Sequence, residues 1–202
     1  METREALVRR ALRLERVTAG WLLLEAAVGI GAGVAAHSLT LVAFGADSVI
    51  ELLSAGLLLW RLGVELRQGE DFSDAIERTA ARIGALLLLA LALYVIASAG
   101  WSLWIGTGQE FSLPGLVLAV LAIPVMAGLA ARKRRLADAL ESAALRADAA
   151  ESIACLYLSA VVLVGLLAQW AFGAWWIDGA SALALTPFLL KEAREAWLGD
   201  DD

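Results

Sequence analysis

Long runs without a charged residue alternate along this chain with short, densely charged ones, and that alternation leaves few folds open. A helix needs about 20 apolar residues to cross a bilayer. Six stretches have that length and character, roughly 17–36, 38–60, 80–104, 113–131, 147–170 and 177–197. They occupy most of the 202 residues, so a soluble domain has no room. Hydrophobic residues make up 60% of the chain, against about 45–50% in soluble domains. The expected fold is therefore all-α: a polytopic membrane bundle of six transmembrane helices over residues 17–197. Residues 1–16 are expected as a cytoplasmic N-terminal segment and 198–202 as an acidic tail.

The basic residues orient the bundle. Arg4, Arg9, Arg10, Arg13 and Arg16 precede the first stretch, and Arg61, Arg67, Arg78 and Arg82 lie between the second and third. Arg132, Lys133, Arg134, Arg135 and Arg146 lie between the fourth and fifth, and Lys191 and Arg194 close the sixth. All 16 Lys and Arg thus fall on one side of six crossings. The positive-inside rule places that side, with both termini, in the cytoplasm. The opposite connections, "AHS", "IGTGQEFSLPG" and "FGAWWID", are short or apolar. Trp101, Trp104, Trp170, Trp175 and Trp176 gather there as an aromatic belt. The opening "METREALVRRALRLERV" lacks an apolar core before Val17 and does not read as a cleavable signal peptide. The expected location is the cell's inner (plasma) membrane. No nucleic-acid partner is expected.

Carboxylates inside the apolar stretches carry the functional information. Asp47 and Glu51, in "AFGADSVIELLSAG", are one helical turn apart on one face. Each costs roughly 2.5–3.5 kcal/mol at the bilayer centre on the insertion scale. The sequence offers no Lys or Arg at their depth, which leaves a bound cation or protonation as compensation. In the fifth stretch, "LRADAAESIACLYLS", Asp148, Glu151 and Cys155 again share one face. Two antiparallel helices would bring Asp47, Glu51, Glu151 and Cys155 together, and three carboxylates with a thiolate suit a four-coordinate divalent transition ion. Two further acids stay open. Asp148 either sits at the water boundary near Arg146 or serves as an additional ligand or proton relay. Glu25 either lines the same cavity or hydrogen-bonds a neighbouring helix. Cys155 is either a ligand or a packing residue, and His37 reads as a solvated loop residue.

Small residues in "GIGAGVAA" and in the two "SAG" triplets are expected to let helices approach closely. Pro124 and Pro187 suggest kinks in the fourth and sixth helices.

These residues resemble the cation diffusion facilitator family, six-helix metal/proton antiporters whose second and fifth helices each carry two ligands spaced i, i+4. "DSVIE" fits that pattern at Asp47 and Glu51, and in "ADAAESIACLYLS" Glu151 and Cys155 stand where the family has His and Asp. "WWIDGASALALTPFLLKEAREAW" looks like the family's sixth helix. The resemblance implies divalent metal efflux against protons, no permanently bound cofactor, and a homodimer in the lipid bilayer. It implies a short form without the family's C-terminal cytoplasmic domain. The missing histidine is a departure that leaves the cargo open among zinc, cadmium, cobalt and iron. The rival readings are a non-transporting membrane partner with protonated acids and, less favoured, a membrane-embedded enzyme.

Overall fold

The structure is a computed structural model, described here for residues 4–68, 74–106 and 110–198. The far tail, 199–202, and part of the "IGTGQ" connection lie outside the described residues. Six helices follow one another: α1 (Arg4–Ala35), α2 (Leu39–Gln68), α3 (Asp74–Ile105), α4 (Leu113–Leu140), α5 (Ala143–Phe172) and α6 (Ile177–Leu198). No strand occurs among the described residues. Five of the six are long and apolar enough to cross a membrane. The sixth, α6, is charged at both ends, by Asp178 and by Lys191 to Glu195. Its uncharged run from 179 to 190 spans only about 18 Å of helix.

The helices outrun the apolar stretches. Residues 4–16 form the first turns of α1, and α4 continues past residue 131 to Leu140. Alanine, leucine, arginine and lysine are strong helix formers, so "ARKRRLADAL" propagates the helix beyond the hydrocarbon. The loop expected between the fourth and fifth stretches shrinks to Glu141 and Ser142. Glu141 takes a left-handed conformation, φ 52°, while the Ser142 amide donates to the Ala137 carbonyl at 3.0 Å, closing α4 with a Schellman turn. Ser142 then caps α5, its hydroxyl accepting from the Leu145 amide.

The same device joins α1 to α2. His37, exposed and left-handed at φ 53°, lets the Ser38 amide reach the Gly33 carbonyl at 2.8 Å. His37 is thus a solvated residue with a turn to hold. At the start of α4, Ser112 accepts from the Gly115 amide and a proline occupies the first turn, where its missing N–H costs nothing.

The main helix pairs are α1 with α2, α4 with α5, and α3 with α6. Helix α2 also packs against α3, α5 and α6, so its faces look into the middle of the bundle. Alanines fill that middle: Ala43, Ala55, Ala92, Ala99, Ala119, Ala122 and Ala182 are all but fully buried. Large apolar side chains such as Leu23, Leu93 and Val164 point outward, as a lipid-facing surface requires. The five tryptophans of the belt are likewise exposed.

Among the described glycines, only those of the α1–α2 seam meet the backbone of another helix. A Cβ added to Gly45 would lie 2.6 Å from the Ile30 backbone nitrogen, and one on Gly33 would lie 2.7 Å from that of Val42. Gly29 faces Gly45 in the same seam. The "SAG" triplets do not work this way. Gly56 and Gly100 have open space around them, and their neighbours Ala55 and Ala99 are the buried residues. Pro124 and Pro187 lie inside α4 and α6, each of which runs on through its proline as one helix.

Gly45→Ala therefore forces backbone apart, and we expect it to lower stability by about 1–3 kcal/mol, the usual range for overpacking. Gly31→Ala, in the same motif but with nothing within 4 Å, should be neutral to slightly stabilising, since alanine is the better helix former. Unfolding midpoints of the two purified variants in detergent check the contrast.

Candidate functional site

Helix α1 buries one stripe, and both its interior acids lie on it: Glu15, Thr18, Leu22, Glu25, Gly29 and Gly33 follow at helical spacing. Glu25 is fully buried and lies one turn below the α1–α2 glycine seam. Three donors converge on it. The Trp21 indole N–H donates at 2.5 Å, the Ser48 hydroxyl of α2 at 2.9 Å and the Cys155 thiol of α5 at 3.0 Å. Glu25 thus hydrogen-bonds two neighbouring helices and also faces the interior of the candidate ligands, within reach of Asp47 and Glu51.

Asp47 and Glu51 follow along α2. Asp47 lies roughly 12 Å below the start of the helix and is 2% exposed. Glu51 is half-buried, and its Oε2 has no hydrogen-bond partner. Asp47 lies within electrostatic reach of Glu25 and Glu151, and Glu51 within reach of Asp47, Glu151 and Glu25. On α5, Glu151 accepts from the Ser54 hydroxyl of α2 at 3.2 Å. Cys155, fully buried, feels Glu51, Glu25 and Asp47 as well as its own hydrogen bond. The four candidate ligands thus share one polar interior between α2 and α5. They do not form a ready cage: among the described residues, no three His, Cys, Asp or Glu side chains are arranged to hold a metal ion. No cation pairs with Asp47 or Glu51 among the described residues.

Glu192 of α6 belongs to the same interior. It is half-buried and faces Asp47, Glu151 and Glu51 electrostatically. Sequence reading passed over it because it stands between Lys191 and Arg194, where it looks like part of a solvated helix end. The usable signal was its spacing of seven from Leu185, which lies on the buried face of α6.

Asp148 does not sit at the water boundary beside Arg146. It is 6% exposed and pairs with Lys133 of α4, whose Nζ lies 2.5 Å from its Oδ2. Arg146 pairs instead with Asp138 at the surface. The same ammonium lies 3.4 Å from Glu15 Oε2, so α1, α4 and α5 meet in a buried triad of two acids and one base. The signal for Lys133 was again periodicity. Extending the buried face of α4 from Met126 and Leu129 reaches Lys133 and Ala137 while Arg132, Arg134 and Arg135 turn outward.

At the opposite end Asp178, in the first turn of α6, closes the start of α2. It accepts from the Ser38 hydroxyl at 2.7 Å, the Leu39 amide at 2.7 Å and the Thr40 amide at 3.2 Å, and its carbonyl accepts from the Thr40 hydroxyl. An anion at a helix N-terminus meets both free N–H groups and the positive end of the dipole.

An all-helical bundle with an apolar outside and carboxylates gathered at mid-depth defines a multi-pass membrane protein with a cation-attracting interior. Residues 18–197 match the cation efflux transmembrane domain, and the chain belongs to the cation efflux family. It is a cation efflux transporter, of a family that moves divalent metal ions and is not enzymatic. No curated protein matches the chain.

Removing Lys133 would leave Glu15 and Asp148 buried without their cation. We expect Lys133→Met to cost about 3–5 kcal/mol, the range for breaking one side of a buried ion pair. Adding Glu15→Gln and Asp148→Asn to that variant should recover most of the loss, as measured by unfolding midpoints in detergent.

Proposed function

We propose that this protein exports a divalent metal ion in exchange for protons, binding it near mid-membrane with Asp47 and Glu51 of α2 and Glu151 and Cys155 of α5. The observation that carries this reading is the Asp47–Glu51 pair. Two carboxylates one turn apart repel each other, neither has an ion-pair partner among the described residues, Lys133 reaching Glu51 only from its place on Asp148, and Glu51 retains a buried oxygen without a donor. A divalent cation relieves all three costs at once.

The surrounding hydrogen bonds supply the proton chemistry. Acids and thiols must lose their protons to bind metal, so binding and proton release are linked. On this reading the metal displaces the Cys155 thiol from Glu25 and the Ser54 hydroxyl from Glu151, and draws the four donors together. Three carboxylates and a thiolate exceed the charge of one divalent ion, which favours keeping a proton on the site and exchanging others. Glu25 and Glu192 stand ready as acceptors for protons that leave. Asp148, held by Lys133, takes no part.

The basic end of the bundle is cytoplasmic on this reading, by the positive-inside rule. The inner membrane as location and a homodimer as assembly complete it, as the family resemblance implies.

Proteoliposomes test the proposal. Zinc, cadmium, cobalt or iron flux should require an opposed proton gradient. Asp47→Asn and Glu51→Gln should each reduce it to background while leaving the purified protein folded. Wild-type flux in either variant would take α2 out of the site. A folded protein that moves no metal under any gradient would favour a non-transporting partner.

Cys155 decides the preference among metals. A thiolate is a soft ligand, suited to zinc or cadmium over magnesium or calcium. Cys155→Ser should therefore weaken cadmium binding at least tenfold more than manganese binding, read by isothermal titration. Metal should also protect the thiol from a small membrane-permeant reagent. Unchanged affinity for both ions would make Cys155 a hydrogen-bond donor to Glu25 only, and the site all-carboxylate.

A further inference from the structure

A cavity of about 690 Å³ opens between the basic ends of α1 and α4, a volume typical of small-ligand sites. Two arginine pairs face each other across it, Arg10 and Arg13 on α1 and Arg132 and Arg135 on α4. Each pair is spaced i, i+3, which puts its members on one side of its helix. All four arginines are exposed. Among the described residues that line the groove there is no acid; Glu15, two residues past Arg13, is turned to Lys133, and the exposed Asp138 of α4 pairs with Arg146. Between the arginines the lining is aliphatic, with Leu14 half-buried and Val17 60% exposed.

The position of the groove is as informative as its lining. Val17 opens the first apolar run, and α4 leaves its own at residue 131, just before Arg132. The arginines therefore stand at the level where hydrocarbon gives way to headgroups, with Leu14 and Val17 toward the hydrocarbon and Leu7, Leu136 and Ala139 toward the helix ends. A free anion would use only the guanidinium groups. A phospholipid would use both parts: a phosphate matched by the planar forks of arginine, and acyl chains laid on Leu14 and Val17. Basic pockets between membrane helices suit anionic lipid headgroups for this reason.

We propose that this groove is a binding site for an anionic phospholipid of the leaflet at the basic end of the bundle, held by Arg10, Arg13, Arg132 and Arg135. The lipid bridges α1 and α4, the two helices that also carry Glu15 and Lys133 of the buried triad. The site is independent of the metal reading and stands or falls by itself.

Native mass spectrometry of the full-length protein, released from detergent into defined lipid, tests it. The probes are phosphatidylglycerol, phosphatidylcholine and inorganic phosphate. Retention of phosphatidylglycerol should exceed that of phosphatidylcholine at least tenfold, and inorganic phosphate in excess should not displace it. Arg10→Gln/Arg13→Gln and Arg132→Gln/Arg135→Gln should each lower phosphatidylglycerol affinity about tenfold or more. Arg16→Gln/Arg134→Gln removes the same charge from exposed positions outside the groove and should bind as wild type. These exposed substitutions leave the core intact, and unchanged melting midpoints verify folding. The proposal fails if the control pair loses as much as the groove pairs, since the attraction is then diffuse surface charge. It fails if only one helix's arginines matter, because the site is then not the groove. It fails if phosphate displaces the lipid or if phosphatidylcholine binds equally, which would mark a free-anion site or an apolar annulus.

Discussion

The hydrogen bonds that converge on Glu25 join three helices at the middle of the bundle. A carboxylate taken out of water loses strong hydration, and burial is tolerated only when donors or a cation replace it. Glu25 receives one donor from its own helix, one from α2 and one from α5. The consequence reaches beyond one residue. Because Ser48 stands between Asp47 and Glu51 in sequence, the bond from Ser48 to Glu25 fixes the rotation of α2 about its axis. Because Cys155 stands one turn from Glu151, its thiol fixes α5 in the same way. The acids of the candidate site face the interior because the Glu25 bonds hold their helices turned that way.

The two ends of the bundle are held by different physics. At one end Asp178 gathers the first amides of α2, so α2 and α6 are locked where both begin. The glycine seam of α1 and α2 lies just below, with backbones too close for a Cβ at Gly33 or Gly45. At the other end Lys133 holds α1, α4 and α5 through two carboxylates. Such a triad gives little net stability, because desolvation offsets the attraction, but it penalises any arrangement that separates its members. Surface pairs such as Arg4 with Glu65 tie α1 to α2 there and contribute little. Among the described residues, the polar interior between these ends has no glycine seam and no ion pair, only hydroxyl, indole and thiol hydrogen bonds. It is the part of the bundle in which side chains can change partners at least cost.

Six helices, their alternation and the one-sided basic residues were legible because hydrocarbon imposes length and composition directly on sequence. Asp47, Glu51 and Glu151 were legible as candidates because charge at mid-depth is conspicuous against an apolar background, and Cys155 because it stands one turn past Glu151. What was not legible lies where that background ends. Lys133 sits in "ARKRRL", where five neighbouring residues include three arginines that face outward, and composition alone cannot single out the inward one. Glu192 and Asp178 stand at helix ends, where a charge is unremarked in sequence whether it faces water or protein. The glycines show the same limit. "GIGAG" and "SAG" read alike, yet only the first meets another backbone, because contact depends on which helix lies opposite. Once helix length is extended past the apolar run, the buried periodicity of α1 and α4 recovers Glu15 and Lys133. Asp178 has no such signal, since its partners lie on α2, some 140 residues away in sequence.

The distribution of compensation also separates the acids by what they can bind. Glu15 and Asp148 share an ammonium, and a metal ion approaching them would meet repulsion from Lys133 at contact distance. Asp178 is saturated by amides and a hydroxyl that have no other acceptor, so a cation there would leave the first turn of α2 open. Glu25 accepts three donors and offers little free lone-pair density while they remain. Asp47, Glu51, Glu151 and Glu192 are left, with one hydroxyl bond at Glu151 and no cation paired with Asp47 or Glu51 among the described residues. Of the buried acids, these are the ones whose electrostatic cost is least relieved by the protein itself. On the proposed reading, that unrelieved cost is the free energy available to take a cation out of water.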